Sequence, residues 1–410
     1  MRTRQAGLGF IFVTIVLDVL GAGMVIPVLP QLVASLVQGD VSSAAQYYGY
    51  FVALFSAMQF LFAPALGGLS DQYGRRPVLL LSLFSAAINY VLLAVAPNLT
   101  LLFVGRVLAG VSAANITAAN AYIADISLPE QRARNFGLLG AAFGIGFIVG
   151  PLLGGVLGSF GERVPFWAAS ALTLVNALYG LFVLPESLPA ESRRRFQWRE
   201  ANPLRSLRGL GRHAVVLNLV GTLVCTYLAQ QALYTTWVLY TTYRFNWNSW
   251  EQGISLAFFG ASTALVQAAL LPVLLPRLGE RRALVLGLVS SVVGYVLYGL
   301  ATAGWMMYVI IAATGLSFVI QPAVQALITN AVPADEQGAI QGALTSLLSL
   351  TAIVGPIIAT ELFSYFTAPA RAMPVPGAPF FLGAILMLAA SLLAVRTFKR
   401  RHVPEAAQLS

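Results

Sequence analysis

The sequence predicts an all-α membrane protein, with twelve transmembrane helices in two pseudo-symmetric six-helix bundles. Three observations predict it. Of 410 residues, 58% are hydrophobic and 10% charged, with a mean hydropathy of +0.79; soluble domains run nearer a quarter charged. The apolar residues gather into twelve long runs, each close to the roughly 20 residues a helix needs to cross lipid. The chain also repeats itself: IVGP stands at 148–151 and at 353–356, an offset of 205. The same offset carries Tyr90-Val91-Leu92 onto Tyr295-Val296-Leu297, Gly74 onto Gly279 and Gly110 onto Gly315.

The twelve spans are expected at 7–36, 47–69, 77–96, 99–123, 136–160 and 165–184, then at 213–238, 251–275, 283–302, 305–330, 338–366 and 379–398. Runs this continuous are helices, because barrel strands are shorter and alternate. The first opens on MRTRQAGLGFIFV, which has the basic and apolar regions of a signal peptide. It contains Asp18 and lacks a clear small-residue cleavage site, so it reads as an uncleaved span. Gly21, Gly23 and Pro27 interrupt that helix just beyond the carboxylate. Residues 1–187 form one six-helix half, 188–212 a polar cytoplasmic linker, and 213–410 the second half. Parallel halves with a site at the midplane describe a common transporter plan.

The net charge of +9 raises the question of nucleic acid, but its distribution answers otherwise. The 24 basic residues sit in short breaks between apolar runs, and all but Arg106, Arg163, Arg244 and Arg371 fall on one side of the predicted membrane. That asymmetry places both termini in the cytoplasm. The lone Cys225 excludes a disulfide or a multi-cysteine metal site within one chain. No metal and no cofactor is expected.

The break between spans 2 and 3 reads GGLSDQYGRRPVLL, from Gly67 to Leu80. Gly74 permits a tight turn and Pro77 suits the first turn of a helix. Asp71 precedes that helix, near its partial positive end, where Arg75 and Arg76 can pair with it. In span 5, Gly146, Gly150, Gly154 and Gly158 recur every four residues and form a smooth stripe. Such a stripe lets two membrane helices approach closely. It reads either as static packing or as a seal on a cavity that bends at Pro151.

Gly67, Leu69, Asp71, Gly74, Arg75 and Arg76 resemble the signature loop of the major facilitator superfamily. LLFVGRVLAGVSAA resembles its span-4 arginine segment, with Arg106 as the arginine, and GAAFGIGFIVGPLLGG resembles the motif of its drug–proton antiporters. Within that superfamily, ALFSAMQFLFAPALGGLSDQYGRRPVLLLSL and DVLGAGMVIPVLPQL are similar to the tetracycline exporters. The resemblance implies the major facilitator fold, an essential carboxylate at Asp18 and a gate containing Asp71 and Arg75. With these are grouped Asp125, at the inner end of span 4, and the antiporter residues Gly146, Gly150, Pro151, Gly154 and Gly155. Where those exporters carry further carboxylates in spans 3 and 9 this chain has Asn89 and Ser291, and where many carry a span-8 histidine it has Thr263.

Asp18 lies roughly 16 Å along its helix, near the bilayer midplane. Charge is costly there and is usually retained for function. It reads as a proton carrier, or else as a buried structural partner of Arg106, the one basic residue inside a span. Substrate contacts are expected from Gln59, Asn89 and Asn115 in the first half, and from Tyr227, Gln230, Tyr234, Gln321 and Gln325 in the second. Aromatic walls with a few polar groups suit an amphipathic, drug-sized ligand; the same residues also serve as interhelical hydrogen bonders. Trp237, Tyr240, Tyr243, Trp247 and Trp250 read as an outer interfacial belt.

These expectations describe a monomeric secondary transporter of the inner membrane. It exports drug-like compounds of the tetracycline type in exchange for protons, by alternating access. The alternative is a proton-coupled uptake symporter for a small nutrient, although an anionic nutrient would call for more cavity cations than Arg106. A membrane-embedded enzyme or receptor finds no support in any intramembrane histidine, metal-ligand cluster or sizeable extramembrane domain.

Overall fold

A computed structural model describes residues 2–38, 40–113, 115–196, 214–332, 337–369 and 373–400. No strand occurs among them. Each expected span is occupied by a helix or a broken pair of helices, and the predicted linker lies outside the described residues from 197 onward. Among the described residues nine helices are long and apolar enough to cross a membrane, and a tenth candidate is a pair bent by 50°. One of the nine, Ser249–Leu300, contains two expected spans. Phe182, 81% exposed, typifies the apolar side chains turned outward from the bundles, as a lipid-facing surface requires.

The chain forms two compact units: Met1–Pro203 with Asn246–Ala261, and Leu204–Phe245 with Ser262–Ser410. The first contains α1 (Arg2–Val25), α2 (Leu29–Leu36), α3 (Val41–Tyr73), α4 (Arg75–Val95) and α5 (Leu99–Ser112). It continues with α6 (Asn115–Ile126), α7 (Arg132–Gly158), α8 (Val164–Val183) and most of α10 (Ser249–Leu265). The second contains α9 (Ala214–Phe245), α11 (Leu271–Leu300), α12 (Gly304–Ala313), α13 (Ile320–Thr329), α14 (Gln337–Thr367) and α15 (Ala378–Arg400).

The first span breaks after Val25, as Pro27 dictates: Ile26 and Val28 donate to Gly23 and Val25 in tight turns before α2 begins. Asp40 caps α3, accepting from the backbone N–H groups of Ser42 and Ser43 at 3.3 and 3.1 Å and from the Ser43 hydroxyl. Those hydrogen bonds, the Ser43 hydroxyl first, hold its carboxyl below the usual range. Spans 4 and 10, expected as continuous, are both broken. The first splits between α5 and α6, and the second passes through a 3-10 turn at Gly315–Val319.

The offset of 205 is visible in the backbone. Gly74 (φ 110°, ψ 159°) and Gly279 (φ 73°, ψ 159°) both hold left-handed conformations where a helix begins again. Both units also place a proline inside a long helix, Pro151 in α7 and Pro356 in α14.

The expected aromatic belt is corrected by the structure. Trp237, Tyr240 and Trp247 are buried, and Trp250 is exposed. Tyr240 donates to the Tyr298 carbonyl at 2.9 Å and stacks edge-on against Phe380, while Tyr243 meets Phe363. A ring that finds packing partners and an acceptor for its hydroxyl belongs in a core as readily as at an interface.

Candidate functional site

The core of the first unit positions its charged residues. Ile11, Ile15, Leu79, Ala119, Tyr122 and Leu139 form a buried cluster joining α1, α4, α6 and α7. Asp18 follows on α1, one turn beyond Thr14 and Ile15. The glycine stripe of α7 fixes the height and rotation of α1. A Cβ at Gly150 would stand 2.8 Å from the Cα of Gly23, and one at Gly154 would stand 2.8 Å from the Cα of Met24. A Cβ at Gly146 would strike Val19, the neighbour of Asp18. Gly155 faces elsewhere: its Cβ would come within 2.9 Å of the Cα of Gly253 on α10. Only hydrogen fits at such approaches.

Asp18, Gln59, Asn89 and Arg106, from α1, α3, α4 and α5, line one cavity of about 330 Å³ within the first unit. Its walls include Val25, Ile26, Tyr48, Phe55 and Tyr90. Arg106 holds its guanidinium carbon 5.8 Å from the centre of the Phe55 ring. Its Nε and the Asn89 Oδ1 are buried without a hydrogen-bond partner among the described residues. Tyr90 lies within electrostatic reach of both Asp18 and Arg106. Gly110 fixes Arg106 against α3, since a Cβ there would sit 2.6 Å from the Phe55 carbonyl oxygen. The cavity combines aromatic walls with two opposite charges and two amides, at the small end of ligand pockets. Asn115 opens α6, but its side chain lies outside the described residues.

The remaining polar residues form hydrogen-bonded pairs, two of which lie within electrostatic reach of each other through Tyr227 and Tyr234. In the second unit Gln321 donates to the Tyr227 hydroxyl at 2.7 Å, and Gln230 to Tyr234 at 3.0 Å. Gln325 donates at 2.7 Å to Gln341, a residue the sequence reading missed.

The loop before α4 is an ion-pair cluster with a different division of labour from the expected one. Arg75 pairs with Asp71 and, at 3.0 Å, with Asp125, which also accepts from the Ser187 hydroxyl at 3.1 Å. Arg76 does not join them; its guanidinium donates to the Leu181 carbonyl. The start of α4 is capped by Glu186, which accepts from the N–H groups of Arg75 and Arg76 at 2.9 and 3.2 Å. Glu186 also accepts from Ser187 and Leu188. Asp71 is held by Arg75 instead, one turn along the chain. Gly67 is not tightly packed, its Cβ position being 3.7 Å from Thr117, whereas Gly68 is covered by the Phe196 ring. The Phe196 N–H also donates to Gln72 at 2.9 Å, so the chain after α8 lies across the end of α3. A single acid between two prolines, in LPESLP, was the one sequence signal for Glu186.

Comparison with known proteins agrees with this architecture. The tetracycline resistance protein, class C, of Escherichia coli is 41% identical over 375 residues, covering 92% of this chain and 93% of that protein. The class G protein of Vibrio anguillarum is 40% identical, covering 91% and 93%. Among solved structures, the human organic anion transporter MFSD10 (TETRAN) is 25% identical with a TM-score of 0.68, covering 95% of this chain and 99% of that one. The nucleoside transporter NupG, 14% identical, has a TM-score of 0.77 and covers 96% and 99%. The family model of the Major Facilitator Superfamily matches residues 11–356 and 270–410. By its fold, its loop and these matches, the chain belongs to the Major Facilitator Superfamily.

Proposed function

We propose that this protein is a proton-driven exporter of amphipathic drugs of the tetracycline type. It is a transporter, not an enzyme. The observation that carries the reading is the cavity in the first unit, where Asp18 and Arg106 lie among aromatic walls. The relatives named as tetracycline resistance proteins supply the substrate class.

On this reading Asp18 takes up a proton from the outer side and releases it to the cytoplasm, and Arg106 is its counter-charge. Coupling requires that protonation and drug binding each change the affinity for the other. Gln59, Asn89, Asn115, Tyr227, Gln230, Tyr234, Gln321 and Gln325 contact the drug. The loop of Gly67, Asp71, Gly74, Arg75 and Arg76, with Asp125, acts as the inner gate. Gly146, Gly150, Pro151, Gly154 and Gly155 hold the close helix contacts on which alternating access turns. Residues 1–187 and 213–410 are the moving halves and 188–212 is the linker. The protein works as a monomer in the cytoplasmic membrane, with both termini inside and no cofactor beyond the proton.

Everted membrane vesicles test the direction and the substrate. With an acid interior, vesicles carrying the protein should accumulate labelled tetracycline, and collapse of the gradient should release it. Accumulation of a nutrient panel without any response to drugs would instead identify an uptake symporter.

A further inference from the structure

Among the described residues the repeated loop is filled in one unit and open in the other. Beside Gly74 the space a Cβ would need is occupied by the Glu186 carboxylate, an internal anion at the start of α4. Beside Gly279, 205 positions later and of similar backbone conformation, no atom of the described residues lies within 4 Å of the Cβ position. Gly279 instead lines a cavity of about 1210 Å³ within the second unit.

The cavity has two kinds of wall. Pro276, Val285, Leu286, Leu327 and Val395 supply apolar lining, and Arg281 and Arg282 supply charge. Arg281 lies over the Phe398 ring at 5.6 Å. The lining acid, Glu280, accepts from the neutral Asn330 amide at 3.2 and 3.3 Å. Among the described residues neither arginine forms an ion pair. Two arginines against the one lining carboxylate, Glu280, beside an apolar groove in a membrane protein, are complementary to an amphiphile with an anionic head.

We propose that this cavity binds an anionic phospholipid, its phosphate held by Arg281 and Arg282 and an acyl chain lying along Val285, Leu286, Leu327 and Val395. The arginines supply the forked donors that suit phosphate. The groove selects a lipid over free phosphate, which would leave the apolar wall wet. In the first unit Glu186 fills the corresponding place, so the fold already accommodates an anion beside this turn.

Native mass spectrometry of the detergent-purified protein tests it, using phosphatidylglycerol, phosphatidylcholine of the same acyl chains, and soluble glycerol phosphate. The wild type should retain one phosphatidylglycerol in preference to phosphatidylcholine and should not retain glycerol phosphate. Arg281→Gln with Arg282→Gln should weaken phosphatidylglycerol binding about thirtyfold, from the usual worth of two basic residues near anionic lipid. The Arg281→Lys, Arg282→Lys pair should restore most of it. If the glutamine pair fails to fold, Leu286→Glu at an exposed groove position should set a charge against the acyl chain and weaken phosphatidylglycerol retention, and unchanged retention in that variant would overturn the proposal. Equal retention of both lipids, phosphatidylglycerol binding unchanged in the charge-removing variants, or glycerol phosphate binding as tightly as the lipid would each overturn the proposal.

Discussion

Glu186 accepts four backbone N–H groups, two at the start of α4 and two from its own loop. Arg75, a neighbour in the same cluster, bridges the carboxylates of Asp71 and Asp125. The two residues divide a task that sequence alone assigns to Asp71, because a cap 111 residues away leaves no local pattern to read. Replacing Glu186 by Ala would strand the Arg75 and Arg76 donors in a partly buried site. The expected cost is about 1–3 kcal/mol, measured as a lowered thermal midpoint in detergent. Glu186→Gln, which keeps an acceptor in place, should lose less. Equal midpoints for Glu186→Ala and wild type would remove Glu186 from the cap.

At the scale of the helix, the pairing of α1 with α7 explains how an apolar segment holds Asp18 at a fixed depth. Gly146, Gly150 and Gly154 meet Val19, Gly23 and Met24 through backbone or β-carbon contacts that have little freedom to shift. Gly154→Ala should therefore cost about 1–3 kcal/mol through overpacking, while Gly140→Ala, with nothing within 4 Å of its Cβ position, should cost little. Similar thermal midpoints for the two variants would contradict the close packing. Helix existence was legible because twelve long apolar runs admit no other structure in lipid, and Pro27 announced the break after Val25. The breaks at Ala113 and Thr314 were not legible, since no proline marks them and their glycines, Gly110 and Gly315, also occur in unbroken helices. The aromatics of α9 were misread because an interfacial Tyr and a core Tyr with a buried acceptor share one sequence appearance.

At the scale of the molecule, one repeat has been put to two uses. The first unit fills its repeated turn with Glu186 and gathers Asp18, Gln59, Asn89 and Arg106 around a cavity. Among its described residues the second leaves its turn open and arranges polar residues in hydrogen-bonded pairs. The charged members of the site were legible because intramembrane charge is costly. Their neighbours Tyr48, Phe55 and Tyr90 were not, because an aromatic in an apolar run carries no mark of the wall it lines. That Asp18 carries the proton exchanged for drug is the core of the proposed function. Its most direct test is drug-induced proton efflux from acid-loaded everted vesicles, comparing wild type with Asp18→Asn, and labelled-drug exchange without a gradient reporting that the variant is folded. Asp18→Asn should abolish proton efflux while exchange persists; proton efflux that survives the substitution would leave Asp18 without a role in coupling.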